Sequence, residues 1–271
     1  MAGTSDAVGI IGKLAEHEDL EVIATTTTRY GGDLALSAGA DEIIVGRLGV
    51  QEITDLLDVN KIDLLVDATH PFASEASINA LKSAHKTETK YVRFERPTIK
   101  IPDNDQIFQV SSFPEAASLA LEIIKKTDNS RMMHLAGVST LHHMIKVINP
   151  GLIIARVLPR VYSVKKCLEI GIPSENIIAM QGTFSKEFNK ALMKEYAVEV
   201  VVTKESGETG GTHSKMAAAI ELNIPIIIVQ RPKIFELENE MIFTEIDILV
   251  KNIHKLLKLN FEDTAENIVI R

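Results

Sequence analysis

The feature that most constrains this chain is a regular alternation of short β-branched runs with longer amphipathic stretches. The runs at residues 21–27, 42–46, 64–68, 91–95, 132–136, 153–158, 177–180, 199–203 and 225–229 are nearly all apolar, and Gly, Pro, Thr or charge bounds them. Short runs of that kind suit strands buried on both faces, as in parallel sheets. Helical patterns lie between them, at residues 74–85, 114–126, 164–170, 186–196 and 213–222, with a last one at 246–259. Strand, helix and strand repeated in this way predict an α/β fold with mainly parallel sheets.

The alternation weakens once, between residues 96 and 112, where Pro97, Pro102 and the polar run Asp103-Asn104-Asp105-Gln106 intervene. We read this as a crossover between two α/β halves, a dinucleotide-binding domain over 1–105 and a second α/β domain over 106–271. The tail at 262–271 is expected to be strand-like and packed, or loose. At the other end, Gly3-Thr4-Ser5-Asp6 looks like the turn after the first strand of a nucleotide-binding fold. Only Met1 and Ala2 stand where that strand belongs.

Composition narrows the function. The 271 residues carry 29 basic and 37 acidic side chains, a net charge of −8, which disfavours nucleic acid as a partner. Aromatic residues are 5% and Trp is absent, so base-stacking platforms are not expected either. The single cysteine, Cys167, excludes an intrachain disulfide and a cysteine zinc cage, and a reducing cytoplasm fits. No apolar run approaches the ~20 residues of a membrane helix, and the first residues lack a signal-peptide plan. Neither a metal-ligand spacing nor a G-x-S-x-G elbow is present.

Several strand ends carry polar groups. In Gly3-Thr4-Ser5-Asp6 the start of a helix offers backbone N–H groups to a phosphate, or Thr4 or Ser5 is simply its cap. Thr28 and Arg29 follow the next strand, where an acid would suit a free ribose hydroxyl and an Arg a 2′-phosphate, which favours NADPH while leaving NADH possible. The string Asp67-Ala68-Thr69-His70-Pro71-Phe72-Ala73 crowds polar groups at the carboxyl end of a buried strand, and Pro71 is expected to open a helix. Arg93 and Arg96 end another strand and could clamp carboxylates, or pair with Glu95. A Gly-rich loop follows the strand ending near Lys204, with Ser206, Gly210, Gly211 and Thr212, and Lys204 and Lys215 add positive charge to it. Gln181 and Ser185 lie in one more strand-to-helix turn, with Ser185 as a natural cap.

The string from Asp67 to Ala73 resembles the precorrin-6A reductase family, cobalt-precorrin-6A reductases included. Gly3-Thr-Ser-Asp6, Arg93-Phe-Glu-Arg-Pro97, Arg156-Val-Leu-Pro159, Met180-Gln-Gly-Thr-Phe-Ser185, Thr203-Lys-Glu-Ser-Gly207, Gly210-Gly-Thr212 and Gln230-Arg-Pro232 follow in the expected order. Thr183 stands where Pro is more usual. The resemblance implies two Rossmann-like domains with an interdomain cleft. It also implies reduction by a nicotinamide cofactor of one double bond in a flat, polycarboxylate tetrapyrrole on the route to cobalamin. On that reading Gly3, Thr4, Ser5, Asp6, Thr28, Arg29, Asp67, Ala68, Thr69 and His70 hold the cofactor. Arg93, Arg96, Arg156, Gln181, Ser185, Lys204, Ser206, Gly210, Gly211, Thr212 and Arg231 bind the macrocycle, with His70 and Lys204 as candidate proton donors. Two rivals stand beside it. One is a nucleotide- or tetrapyrrole-binding protein without turnover. The other is a short-chain reductase built on Tyr162 and Lys166, which share the Tyr-x-x-x-Lys spacing but sit in the wrong half of the chain.

Overall fold

Capping chemistry sets where several helices begin. In the computed structural model, which describes residues 1–126, 130–207 and 210–258, Thr4, Thr28, Ser112 and Ser185 each accept a backbone N–H from the first turn of the helix they precede. That satisfies a donor which has no acceptor within its own helix. The chain divides into one unit made of Met1–Pro97 and Lys233–Arg271 and another made of Thr98–Pro232. The single boundary near residue 105 expected from sequence is therefore corrected: the break falls at 97/98, and the chain returns at 233 to the unit where it began.

The first unit contains α1 (Ser5–Leu14), β1 (Ile23–Thr26), α2 (Arg29–Ser37), β2 (Glu42–Val45), α3 (Val50–Val59), β3 (Leu64–Asp67), α4 (Ser74–Lys86) and β4 (Lys90–Phe94). The second contains β5 (Ile107–Val110), α5 (Phe113–Ile124), β6 (Arg131–His134), α6 (Leu141–Met144), β7 (Ile153–Val157), α7 (Val161–Glu169), β8 (Ile177–Ala179), α8 (Lys186–Glu195), β9 (Val198–Lys204), α9 (Thr212–Glu221) and β10 (Ile226–Val229). β11 (Met241–Phe243) and α10 (Ile246–Lys258) complete the first unit.

In the first unit β1 pairs with β2, and β4 lies between β3 and β11, all parallel. Met1 and Ala2 join the two ladders. Ala2 N–H donates to Thr25 O, the Met1 amino group donates to Val66 O, and Ala68 N–H donates to Met1 O. They occupy the place of the strand expected before Gly3. Beside them a cavity of about 540 Å³ is lined by Ile10, Leu14, Ala24, Leu65 and Ile253, from elements on both sides of the gap. α1 and α10 bury Ile10, Leu14, Leu249 and Ile253 against Val92 and Phe94, while Ile53, Leu57 and Leu81 form a second cluster with Leu65 and Tyr91.

The second unit is one sheet of order β5-β10-β9-β6-β7-β8, every pair parallel. From β6 the chain winds outward through β7 and β8, then resumes on the other side of β6 with β9 and β10. The order thus reverses between β6 and β9, where open α/β sheets place their ligands. Met133, Ile154, Val201, Met216 and Ile228 fill the core around these strands.

Two local expectations are corrected. Pro71 does not open a helix. It sits in a turn closed by Ala73 N–H donating to His70 O, and α4 starts at Ser74. β5 and β11 form where no strand was expected. The expected tail at 262–271 lies outside the described residues. No helix among the described residues is long and apolar enough to cross a membrane.

Candidate active site

In the first unit, Asp67 closes β3 opposite Arg93 of β4 in the ladder register. Arg93 Nη1 lies 2.7 Å from Asp67 Oδ2, and Tyr91 OH donates to that same oxygen at 2.8 Å. Thr69 N–H donates to Oδ1 at 3.0 Å, and Ser77 Oγ accepts from Arg93 at 2.8 Å. The two charged side chains are 0% and 1% exposed. Burial alone pushes the Asp67 carboxyl up, but Arg93 with the Ser77 and Thr69 contacts outweighs it and holds the group below its ordinary value. Asp67 and Arg93, expected at cofactor and macrocycle, instead spend their charges on each other. Their effect is to fix the backbone that carries Ala68, Thr69 and His70.

That backbone meets α1. Thr4 Oγ1 donates to Ala68 O at 3.2 Å while accepting the Ala7 N–H, so the start of α1 is tied to the end of β3. Gly3 has φ +132°, a conformation that L side chains rarely adopt, and a Cβ there would meet nothing within 4 Å. The Ser5 and Asp6 N–H groups, in the first turn, have no acceptor within the helix. Arg96, only 9% exposed, pairs with Asp6, so at this end of α1 the guanidinium balances that carboxylate and the helix dipole attracts an anion. The chemistry fits a pyrophosphate, and Arg96 belongs here, beside the first turn of α1. His70 Nδ1 accepts from Phe72 N–H at 3.1 Å, which places the proton of the neutral ring on Nε2. Thr28 caps α2, and Arg29 stands at the surface in a loose 3.3 Å pair with Asp33.

The second unit gathers cations at the carboxyl ends of its central strands. Arg156 of β7 donates to Asn189 Oδ1 at 3.0 Å and lies over the Phe184 ring at 5.2 Å from its centroid. Burial lowers it to about 10. Lys215 of α9 is 7% exposed and donates to Gly210 O at 3.0 Å. Burial, with the charges of Arg156 and Lys204, brings its ammonium down to about 7. Three basic groups this close repel one another unless an anion joins them. His134, at the end of β6, is fully buried and held at about 4 by burial and Lys204, against a hydrogen bond to Gly137 O. Its Nε2 lies 2.9 Å from Thr140 Oγ1.

The glycine-rich loop earns its residues sterically. A Cβ at Gly210 would fall 2.0 Å from Ser206 Oγ and 2.5 Å from Ser206 O, and Gly211 caps α9 with φ +68°. Thr212, the first residue of α9, is buried. Its hydroxyl accepts Ser206 N–H and donates to Lys204 O, which locks the loop to the end of β9. Arg231 is turned inward onto Glu205, so its charge is met within the protein. Gln181 and Ser185 are exposed, and Ser185 caps α8.

Within each unit, then, many of the residues expected from sequence converge. Thr4, Ala68, Thr69 and His70 cluster in the first, and Lys204, Ser206, Gly210, Gly211 and Thr212 in the second, with Arg156 near Lys215. Asp67, Arg93 and Arg231 support the site from inside. His134 was missed, because its run Met132-Met133-His134-Leu135 reads as an apolar strand. In the sequence Lys215 reads only as added charge beside the glycine-rich loop.

A family model described as precorrin-6x reductase CbiJ/CobK matches residues 1–254. A cobalt-precorrin-6A reductase of Methanothermobacter thermautotrophicus is 46% identical over 258 residues, covering 95% of this chain and 83% of the relative. A second, from Methanocaldococcus jannaschii, is 42% identical and covers 94% and 97% of the two chains. The solved structure of a CobK precorrin-6A reductase shares the fold, with a TM-score of 0.73 at 19% identity over 94% of each chain. The chain belongs to the precorrin-6x reductase CbiJ/CobK family.

Proposed function

We propose that this protein reduces cobalt-precorrin-6A in cobalamin biosynthesis, adding a hydride and a proton across one double bond of the macrocycle. The observation that carries this reading is the pair of relatives with that activity, 46% and 42% identical over 95% and 94% of the chain. The cofactor is a reduced nicotinamide dinucleotide, which supplies the hydride when bound. Gly3, Thr4, Ser5 and Asp6 receive its pyrophosphate at the start of α1. Thr28 and Arg29 take the ribose end. The Arg29–Asp33 pair is exposed on both sides and costs at most about 1 kcal/mol to give up for a 2′-phosphate, which supports NADPH over NADH. Ala68, Thr69 and His70 form the floor for the nicotinamide, held still by the Asp67–Arg93 pair beneath them.

Arg156, Lys204 and Lys215 meet carboxylates of the macrocycle. Binding such an anion relieves their mutual repulsion and returns Lys215 to its charged form, so recognition and protonation are linked. The Gly210–Gly211 turn leads into the first turn of α9, whose backbone N–H groups have no acceptor within the helix and point to the same ligand. Two groups can deliver the proton that accompanies hydride transfer: His70, whose Nε2 carries it in the neutral ring, and Lys204.

The test is anaerobic turnover with NADPH and NADH, each against cobalt-loaded and metal-free macrocycle. Oxidation of NADPH matched by loss of the cobalt-loaded macrocycle is expected. Tight macrocycle binding with the cofactor unchanged would support a carrier without turnover instead. If His70→Ala and Lys204→Ala each retain nearly full rate, the proton comes from solvent.

A further inference from the structure

α1 and α10 pack side by side through Leu14, Leu249 and Ile253, and this contact sets one face of α10 against the turn that follows α1. His17 and Asp19 lie in that turn, and His254 faces them from α10. The two imidazoles meet edge to face, with centroids 4.2 Å apart and planes at 65°. One donor atom from each of His17, Asp19 and His254 lies within 4.8 Å of the others. Nε2 of His254 is buried and has no hydrogen-bond partner. A buried polar atom with no partner, on a residue that belongs to a cluster of ligating side chains, calls for an explanation that packing does not supply. Nor does the reduction use it: the pyrophosphate end of α1 is about 15 Å away, the length of a ten-residue helix.

We propose that His17, Asp19 and His254 form a binding site for a divalent transition metal, zinc being the best match. Two imidazoles and one carboxylate suit zinc and its neighbours, whereas calcium and magnesium prefer oxygen alone, and the absence of thiolate disfavours copper(I). Tetrahedral zinc with bonds of about 2.0–2.1 Å needs donors roughly 3.4 Å apart. Closing from a spacing of up to 4.8 Å takes at most about 1.4 Å of side-chain movement, shared between exposed Asp19 and the partly exposed imidazoles of His17 and His254. Three protein ligands leave the fourth position to water. The ion ties α10 to α1 and gives His254 Nε2 the partner it lacks, so its consequence is stability of the first unit rather than chemistry on the macrocycle.

The experiment uses tag-free full-length protein stripped with a chelator, then titrated with zinc(II) by calorimetry and with cobalt(II) by visible absorption. One equivalent of zinc should bind, cobalt(II) should give the intense bands of a tetrahedral site, and zinc should raise the melting temperature. His254→Gln and Asp19→Asn should each weaken zinc binding at least about tenfold and abolish the thermal shift while leaving NADPH oxidation unchanged. Melting of the metal-free variants reads their folding separately from their binding. Absence of stoichiometric binding overturns the proposal. So does full binding retained in both variants, which would move the ion elsewhere, for instance to the adjacent His142 and His143.

Discussion

The Asp67–Arg93 pair makes a quantitative prediction. Asp67→Ala removes a carboxylate that is 0% exposed and leaves a guanidinium that is 1% exposed, with Glu95 as its one remaining acidic partner in an ion pair among the described residues. Breaking one side of such a pair costs about 3–5 kcal/mol, because the surviving charge stays buried with only the partly exposed Glu95 to balance it. At roughly 2–4 °C per kcal/mol, the melting temperature of a protein of this size should fall by about 6–20 °C. Replacing both members, Asp67→Ala with Arg93→Met, removes the stranded charge and should recover at least about 2 kcal/mol of the loss. Urea unfolding followed by far-ultraviolet circular dichroism measures all three variants against wild type. The pH profile adds a second handle. Since the folded-state carboxyl of Asp67 lies below its unfolded value, its contribution is complete above about pH 4. It is lost as pH falls through the folded value, and Asp67→Ala should lack that acid-side loss. A cost under about 1 kcal/mol for Asp67→Ala, or a double variant no better than the single, would refute the assignment of this pair as the support of the site.

Three further outcomes are expected. Arg29→Ala should raise KM for NADPH by roughly 10–100-fold, the worth of one charge-assisted hydrogen bond, and leave KM for NADH unchanged, as steady-state kinetics will show. Because the folded Lys215 is held near 7, below an unfolded value of about 10.4, the wild type should lose stability as pH falls from about 10 to about 7 and level off below that. Lys215→Met should remove this slope and be more stable at pH 7 in thermal melts, yet bind the macrocycle more weakly. Gly210→Ala should abolish macrocycle binding in a direct titration while circular dichroism retains the fold, since its Cβ clashes with Ser206 backbone oxygen, which no rotamer change relieves.

How much of this was legible in the sequence depends on whether the cause is local. Buried parallel strands such as Ile226–Val229 announce themselves as unbroken apolar runs, and most expected strands differ from the observed ones by a residue or two at the ends. β5 and β11 escaped because they are short, and neither is fully buried: Ile107–Val110 follows a polar, proline-interrupted run, and Met241–Phe243 has only three residues. The return of the chain at Lys233 could not be seen, because pairing of β11 with β4 joins residues about 150 apart and leaves no periodic trace. The Asp67–Ala73 string was marked as special, but the direction of its first side chain was not. Whether a polar residue at a strand end faces a ligand or the interior is set by its register partner, and here that partner is Arg93. The grouping of Arg156, Lys204 and Lys215 likewise arises only when β7, β9 and α9 are assembled.

Hydride movement from cofactor to macrocycle is the central claim, and isotope transfer reads it directly. NADPH deuterated at its transferable position, incubated anaerobically with the protein and cobalt-precorrin-6A, should yield a reduced macrocycle carrying one deuterium by mass spectrometry. A reduced product without the label, or labelled cofactor recovered intact beside unchanged macrocycle, would contradict it.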